Sequence, residues 1–296
     1  MFPPMLTSTV RLLVQGITGK EGLFHTQRML EAGTPIVGGI SPGRGGEWVK
    51  GIPVFDSVDT AVKATEADTS VIFVPADHAP DAIYEAIDGG ILRIVCITEG
   101  IPLLDTIRLR EYIRLTPARL FGPNSPGFLV PNSYNVGIIP HEIARPGHVA
   151  VISRSGTLTY EVVQHLSQNG FGQSCIVGIG GDAVLGTTFV DALKYLENDP
   201  TTQQIVLLGE IGGELELDAA NFINNRMTKP VIAYITGQEA PIRVRMGHAG
   251  AVIDSPETTA ASKIEALQRA GCKIAQDPFS IVNHLSNITR ADEPTL

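Results

Sequence analysis

The chain has 296 residues, enough for two domains with separate cores, and its 43% hydrophobic and 18% charged content with 31 Gly and 20 Pro describes a compact α/β protein rather than a disordered or fibrous one. A net charge of −9 argues against nucleic acid as a partner, because a phosphate backbone calls for a basic stripe; anionic ligands must be met by local donors. Cys96, Cys175 and Cys272 lie in or beside apolar runs, which suits reduced buried thiols better than disulfides, and no metal-ligand spacing is present.

The opening Met-Phe-Pro-Pro-Met-Leu-Thr-Ser-Thr lacks the basic and apolar regions of a secretory signal, and no apolar run reaches bilayer length. A cytoplasmic protein without membrane contact is expected, an organelle matrix being the other compartment open to it. From Arg11 onward apolar runs alternate with helix-like segments, and strands are expected at 11–15, 35–40, 70–75, 92–97 and 118–122. Runs such as Ser70-Val-Ile-Phe-Val-Pro75 are apolar throughout, as when helices cover both sheet faces, so the pattern predicts a parallel, Rossmann-like sheet. Residues 123–147, rich in Pro, Gly and Asn, interrupt the rhythm and place a domain boundary near 130–146, giving one domain over 1–130 and another over 131–296. The second domain repeats the alternation, with strands expected at 148–153, 173–178, 204–209, 230–235 and 272–275 and helices near 157–168, 186–197, 215–226 and 257–270. That is the rhythm of a doubly wound, flavodoxin-like unit.

Several turns carry chemistry. The first strand runs into Gln15-Gly-Ile-Thr-Gly-Lys-Glu-Gly22, where Gly16, Gly19 and Gly22 let backbone N–H groups approach a phosphate at a helix N-terminus; the same glycines also suit a plain tight turn. Their Gly-x-x-Gly-x-x-Gly spacing departs from the Gly-x-Gly-x-x-Gly of dinucleotide sites, which disfavours a nicotinamide oxidoreductase. Ser41-Pro-Gly-Arg44 and Thr98-Glu99-Gly100 fall on the same sheet edge, where open α/β sheets bind ligands, with Lys20 and Arg44 as countercharges to a phosphorylated nucleotide; alone, Arg44 reads as a solvated loop cation. In the second half Ser153, Ser155, Gly156 and Thr157 form a small-residue turn into a helix, fit to cradle a phosphate or to cap the helix. Glu210 ends a buried apolar strand and there requires a partner. His248 stands between glycines in Arg-Met-Gly-His-Ala-Gly-Ala-Val, outside any periodic run, and its imidazole N–H is a natural partner for Glu210, leaving the other ring nitrogen as a nucleophile.

These segments, with Gly-Pro-Asn124-Ser125-Pro-Gly and Val-Gly-Ile-Gly-Gly-Asp, in this order and over nearly the whole chain, resemble the α subunits of succinyl-CoA synthetases. The resemblance implies an N-terminal CoA-binding domain, a C-terminal flavodoxin-like domain and a separate β subunit of ATP-grasp fold that binds ATP or GTP and Mg2+. It assigns Thr18, Gly19, Lys20 and Glu21 to a first CoA loop, Arg44 to a second, and Ile97, Thr98 and Glu99 to a third. It makes His248 the phosphorylated histidine, Glu210 the carboxylate that holds it, and Tyr160 a residue near the substrate, with Asn124, Ser125, Ser153, Ser155 and Gly156 around phosphate and substrate. The implied activity is ligation of a small carboxylic acid, succinate first, to CoA; a malate- or citrate-CoA ligase subunit and a non-catalytic CoA-binding subunit are the alternatives. Departures from the family cluster around the histidine, in Ala240-Pro-Ile-Arg-Val-Arg-Met246 and Val252-Ile-Asp-Ser-Pro-Glu257, and include Arg44 for lysine, Ser125 for Cys or Thr and Ala183 for Pro. The chain contains no Walker motif and no ATP-grasp-sized segment, so turnover is expected only with the partner.

Overall fold

The computed structural model describes Leu6 and residues 9–285, so of the N-terminal segment read above only Leu6 and Thr9 fall within it. Those residues form two compact units, one of residues up to 141 together with 178–187, the other of 142–177 and the residues from 188 onward. The division thus follows residue 141 rather than 130, and the turn after residue 177 returns to the first unit.

The first unit runs β1 (Leu12–Gln15), α1 (Lys20–Glu31), β2 (Ile36–Ile40), β3 (Trp48–Val49), β4 (Ile52–Phe55), α2 (Val58–Thr65), β5 (Thr69–Ile72), α3 (Ala79–Asp88), β6 (Arg93–Cys96), α4 (Leu103–Ile113) and β7 (Arg119–Phe121). Its sheet has the order β3-β4-β2-β1-β5-β6-β7, parallel except for the β3–β4 pair. All four residues of β1, β5 and β6 are buried, as expected of strands covered on both faces. The polar residues among them are satisfied internally: Gln15 donates to the Ala82 carbonyl at 2.9 Å and accepts from the Ser70 hydroxyl at 2.6 Å, and Arg93 pairs with Asp68 at 2.6 Å. The unit also contains the antiparallel hairpin β8 (Gly127–Val130) and β9 (Tyr134–Gly137), tied to the end of α1 by Thr34, whose hydroxyl donates to the Asn135 carbonyl at 2.8 Å.

The second unit runs β10 (Pro146–Ser153), α5 (Gly156–Gln168), β11 (Gln173–Gly178), α6 (Phe189–Asn198), β12 (Gln204–Glu210), α7 (Leu215–Arg226), β13 (Val231–Thr236), α8 (Ala260–Arg269) and β14 (Lys273–Ile274). These strands lie in the order β14-β13-β12-β10-β11. Counted within the unit that is 2-1-3-4-5 read from the far edge, the flavodoxin-like order, and β2-β1-β5-β6-β7 repeats it in the first unit. In both, the chain leaves the first strand toward one side and returns to the other, which opens a crevice at the carboxyl ends of β1 and β5 in one unit and of β10 and β12 in the other. Gln15-Gly16 lies at the first crevice; Ser153 and Glu210 lie at the second.

Three strands or strand pairs escape the sequence pattern. The edge strand β3 and its neighbour β4 are two and four residues long, and Pro53 inside β4 argues against a strand until β4 is seen to lie one strand in from the sheet edge. The β8–β9 hairpin hides in the Pro- and Gly-rich stretch because its register rests on glycines, Gly127 lying opposite Gly137.

Candidate functional site

At the first crevice Gly16 takes φ of +83°, and a Cβ on Gly22 would collide with the Gly16 carbonyl, so the glycine spacing is demanded by the close approach of α1 to the turn that precedes it. Gly19 caps α1 without a side-chain hydrogen bond, which leaves first-turn N–H groups near Lys20 and Glu21 open to a ligand. The Thr18 hydroxyl lies 2.7 Å from that of Ser41 and ties this turn to the loop after β2. Two clefts flank the turn. One, about 530 Å³, is lined by Gly16, Ser41, Pro42, Val74, Pro75 and His78 among others; the other, about 380 Å³, by Glu21, His25, Phe73, Val74, Ile97 and Thr98 among others.

The first and third expected loops therefore meet at one cleft, through Glu21, Ile97 and Thr98. Thr98 is fixed, its hydroxyl donating to the Val74 carbonyl at 2.7 Å and its carbonyl accepting from the Asn124 N–H at 3.0 Å. Arg44 and Glu99 are exposed and line neither cleft; Arg44 forms a two-pronged pair with Glu47 at 3.0 and 2.6 Å, which raises its pKa further. Asn124 adopts φ of +54° and donates to Asp182 at 3.2 Å. Ser125 is buried and committed to structure: its hydroxyl donates to the Gly178 carbonyl at 2.7 Å and accepts from the Gly127 N–H at 2.9 Å.

At the second crevice Glu210 is 4% exposed at the end of β12, and its Oε2 lies 2.8 Å from Nδ1 of the partly exposed His248. With Nδ1–H donating to the carboxylate, a neutral imidazole carries its ring lone pair on Nε2. The histidine segment seats on the turn after β12. There Gly212 has φ of +83° and any Cβ would fall on the Gly250 carbonyl and the Val252 backbone.

Behind Glu210 lies a network of buried charges that sequence reasoning did not assign. Arg154, 2% exposed, approaches Glu210 Oε1 to 3.2 Å and Glu216 to 3.7 Å and donates to the Gly212 carbonyl at 3.3 Å. Lys263, wholly buried, donates to the carbonyls of Glu210 at 2.7 Å and Gly212 at 2.6 Å and pairs with Glu216, which accepts the Glu210 N–H at 3.1 Å. Burial pulls the Lys263 ammonium below the usual lysine range, and the Glu216 carboxylate opposes that shift. Two cations and two carboxylates thus balance, which is the condition for keeping charge out of water. The sequence held one signal of this: Lys263 occupies the buried stripe Ala260, Lys263, Leu267 of α8, where a lysine is out of place unless paired.

The helix after each strand of this crevice, α5 and α7, starts at the same sheet edge. Ser155 caps α5, its hydroxyl accepting from the Leu158 N–H at 3.3 Å, and Gly156 is its first residue. Ser153 is spent on the turn, its hydroxyl donating to the Ser155 carbonyl at 2.9 Å and accepting the Ser155 N–H at 3.1 Å. Tyr160 is half-buried, one turn into α5, and burial pushes its phenol up to about 12. Among the described residues no group of three or more His, Cys, Asp or Glu is placed to hold a metal ion, and no helix is long and apolar enough to cross a membrane.

Comparisons with known proteins find one family in each half of the chain. A CoA binding domain is matched over residues 7–100 and a CoA-ligase domain over 152–272. The chain is 50% identical over 278 residues to a succinate–CoA ligase [ADP-forming] subunit alpha of Archaeoglobus fulgidus, covering 94% of this chain and 96% of that one. It is 48% identical over 276 residues to the corresponding subunit of Staphylococcus aureus, covering 93% and 91%. Among solved structures, ATP citrate lyase of Methanosaeta concilii in complex with (3S)-citryl-CoA superposes with a TM-score of 0.88 at 26% identity; all of this chain is covered but only 52% of that longer one. With relatives of such identity matched almost end to end, the chain belongs to the family of α subunits of ADP-forming succinate–CoA ligases.

Proposed function

We propose that this chain is the CoA-binding, phosphohistidine-bearing subunit of a ligase that joins succinate to CoA at the expense of ATP. The observation that carries the reading is the 2.8 Å contact between His248 Nδ1 and a buried carboxylate that is itself held by Arg154. That geometry fixes the imidazole tautomer and points to Nε2 as the atom that takes a phosphoryl group.

The chemistry divides into three reversible steps. Nε2 of His248 attacks the γ-phosphorus of ATP and ADP departs; Glu210 stabilises the positive charge that the ring acquires. A succinate carboxylate oxygen then attacks the phosphorus, the P–N bond breaks, and the imidazole leaves as a neutral ring. The CoA thiolate finally attacks the acyl-phosphate carbon and inorganic phosphate departs. Phosphoryl transfer is largely positioning and charge neutralisation, and the N-termini of α5 and α7, beginning at the same edge as Glu210, favour a phosphoryl group by about 0.3–1 kcal/mol each. The first unit supplies CoA through the turn at Thr18–Glu21 and the segment Ile97–Glu99, with Lys20 and Arg44 as countercharges to its phosphates. ATP and Mg2+ belong to a β subunit of ATP-grasp fold. Identity of 50% to succinate ligase subunits against 26% to a citrate enzyme favours succinate over the larger acids.

The test uses the chain co-expressed with its β partner. Incubation with γ-labelled ATP and Mg2+ is expected to leave acid-labile, base-stable label on the wild type and none on His248→Ala. Absence of label from an assembled wild-type complex sinks the phosphohistidine reading, and a panel of succinate, malate and citrate tests the acid.

A further inference from the structure

The 380 Å³ cleft that joins Glu21 to Ile97 and Thr98 is walled otherwise by Phe73, Val74, Pro75 and Ile138, and by one residue that neither the sequence reading nor the proposed chemistry uses, His25. Its side chain is 18% exposed and stacked parallel to the Phe73 ring, with centroids 5.4 Å apart and planes at 5°, while Phe24 meets it edge-on at 5.0 Å. Glu21 Oε2 is 3.8 Å from Nε2, beyond hydrogen-bond reach, and among the described residues neither ring nitrogen has a hydrogen-bond partner. A ring clamped by two aromatic side chains with its polar atoms unmet is costly in a packed wall and useful at a binding surface.

The lining says what it is built to meet. Burial holds the His25 imidazole below the usual histidine range, Glu21 opposing and Arg28 adding, so at neutral pH the ring is uncharged. The Thr98 hydroxyl is already given to the Val74 carbonyl. Among the described residues no Lys or Arg lines the cleft, and its one formal charge is the Glu21 carboxylate. An anion is therefore disfavoured here, whereas an uncharged chain with amide groups spaced by methylenes finds apolar walls and a free imidazole. On the CoA reading above, from which this inference starts, the phosphates belong nearer Lys20 and the first-turn N–H groups of α1, and the uncharged arm remains to be housed.

We propose that His25 is a positioning residue for CoA: it hydrogen-bonds an amide of the pantetheine arm in the cleft between α1 and the end of β6, and so aims the thiol-bearing end.

Calorimetry on the αβ complex tests this with two ligands, CoA and adenosine 3′,5′-bisphosphate, which keeps the nucleotide portion and lacks the arm. For His25→Ala the CoA Kd is expected to rise about tenfold, while the bisphosphate Kd changes by less than about twofold. His25→Asn, which keeps a donor and an acceptor, is expected to recover at least about a third of the lost affinity on a logarithmic scale, a rescue that a merely structural role would not give. Thermal melts of both variants establish that the complex is folded; should His25→Ala fail to fold, the His25→Asn and His25→Phe pair carries the same comparison. Unchanged CoA affinity, or equal loss of both ligands, overturns the role of His25. Failure of the wild-type complex to bind CoA at all is a different result and removes the CoA reading itself.

Discussion

The two units share a strand order and use it in opposite ways. At the β1/β5 crevice the groups proposed to meet a ligand are exposed or uncharged: Lys20, Glu21 and Arg44 lie at the surface, and the turn is shaped by glycines. At the β10/β12 crevice Arg154, Glu210, Glu216 and Lys263 are all less than a tenth exposed and joined to one another. One edge suits a long ligand gripped along its length by modest contacts; the other suits a single reactive atom held against a buried charge array. A shared topology fixes where a site lies, and the burial of its charges separates holding from reacting.

Breaking the second site should be far more damaging than breaking the first. His248→Ala is expected to lower acyl-CoA formation by at least about 10³-fold in an assembled complex, read by a coupled thiol assay, since the proposed chemistry passes through its imidazole. Lys263→Met leaves Glu216 short of its partner in a dry interior, and denaturant unfolding should show a loss of about 3–5 kcal/mol; adding Glu216→Gln should recover much of it, whereas a loss that persists in the double variant would mean that the network contributes packing rather than charge balance.

The thiols provide a test that treats both units alike. Burial pushes Cys96 in the first unit and Cys175 in the second up to about 12 from an ordinary 9. A folded pKa above the unfolded one gives stability that is complete below pH 9 and is lost as pH climbs from 9 toward 12, by about 1 kcal/mol per thiol at pH 10. The unfolding free energy should fall above pH 9, and Cys175→Ala should flatten that fall by one thiol's share. At the first crevice, Arg44→Ala should weaken CoA binding by no more than about tenfold, with a shallower salt dependence in titration calorimetry, because Arg44 is a solvated cation already paired with Glu47.

How much was legible follows the same division. Parallel strands buried on both faces are unbroken apolar runs, so their positions could be read within one or two residues, except that β5 ends at Ile72 rather than 75, and helices such as α5 and α7 start and stop at the small or polar residues that mark them. The approach of Glu210 to His248 could be argued from a single fact, that a carboxylate ending a buried strand needs a partner. Arg154, Glu216 and Lys263 were out of reach because pairing across 47 or 58 residues leaves no local spacing; only the misfit of Lys263 in an apolar stripe betrays it. His25 was missed for the opposite reason, since a histidine at the first turns of an amphipathic helix looks ordinary until Phe73, from a different strand end, is found stacked on it.

The seat of the histidine segment on Gly212 has a kinetic consequence. Main chain rests on main chain there, so no side chain at 212 has to move when the segment lifts, but the buried Ala251 and Ile253 leave the core with it. The barrier to departure and return then combines exposure of those two apolar side chains with loss of the contact to Glu210. Charge on the imidazole tunes that contact directly, so the histidine's own chemical state can set how long it stays.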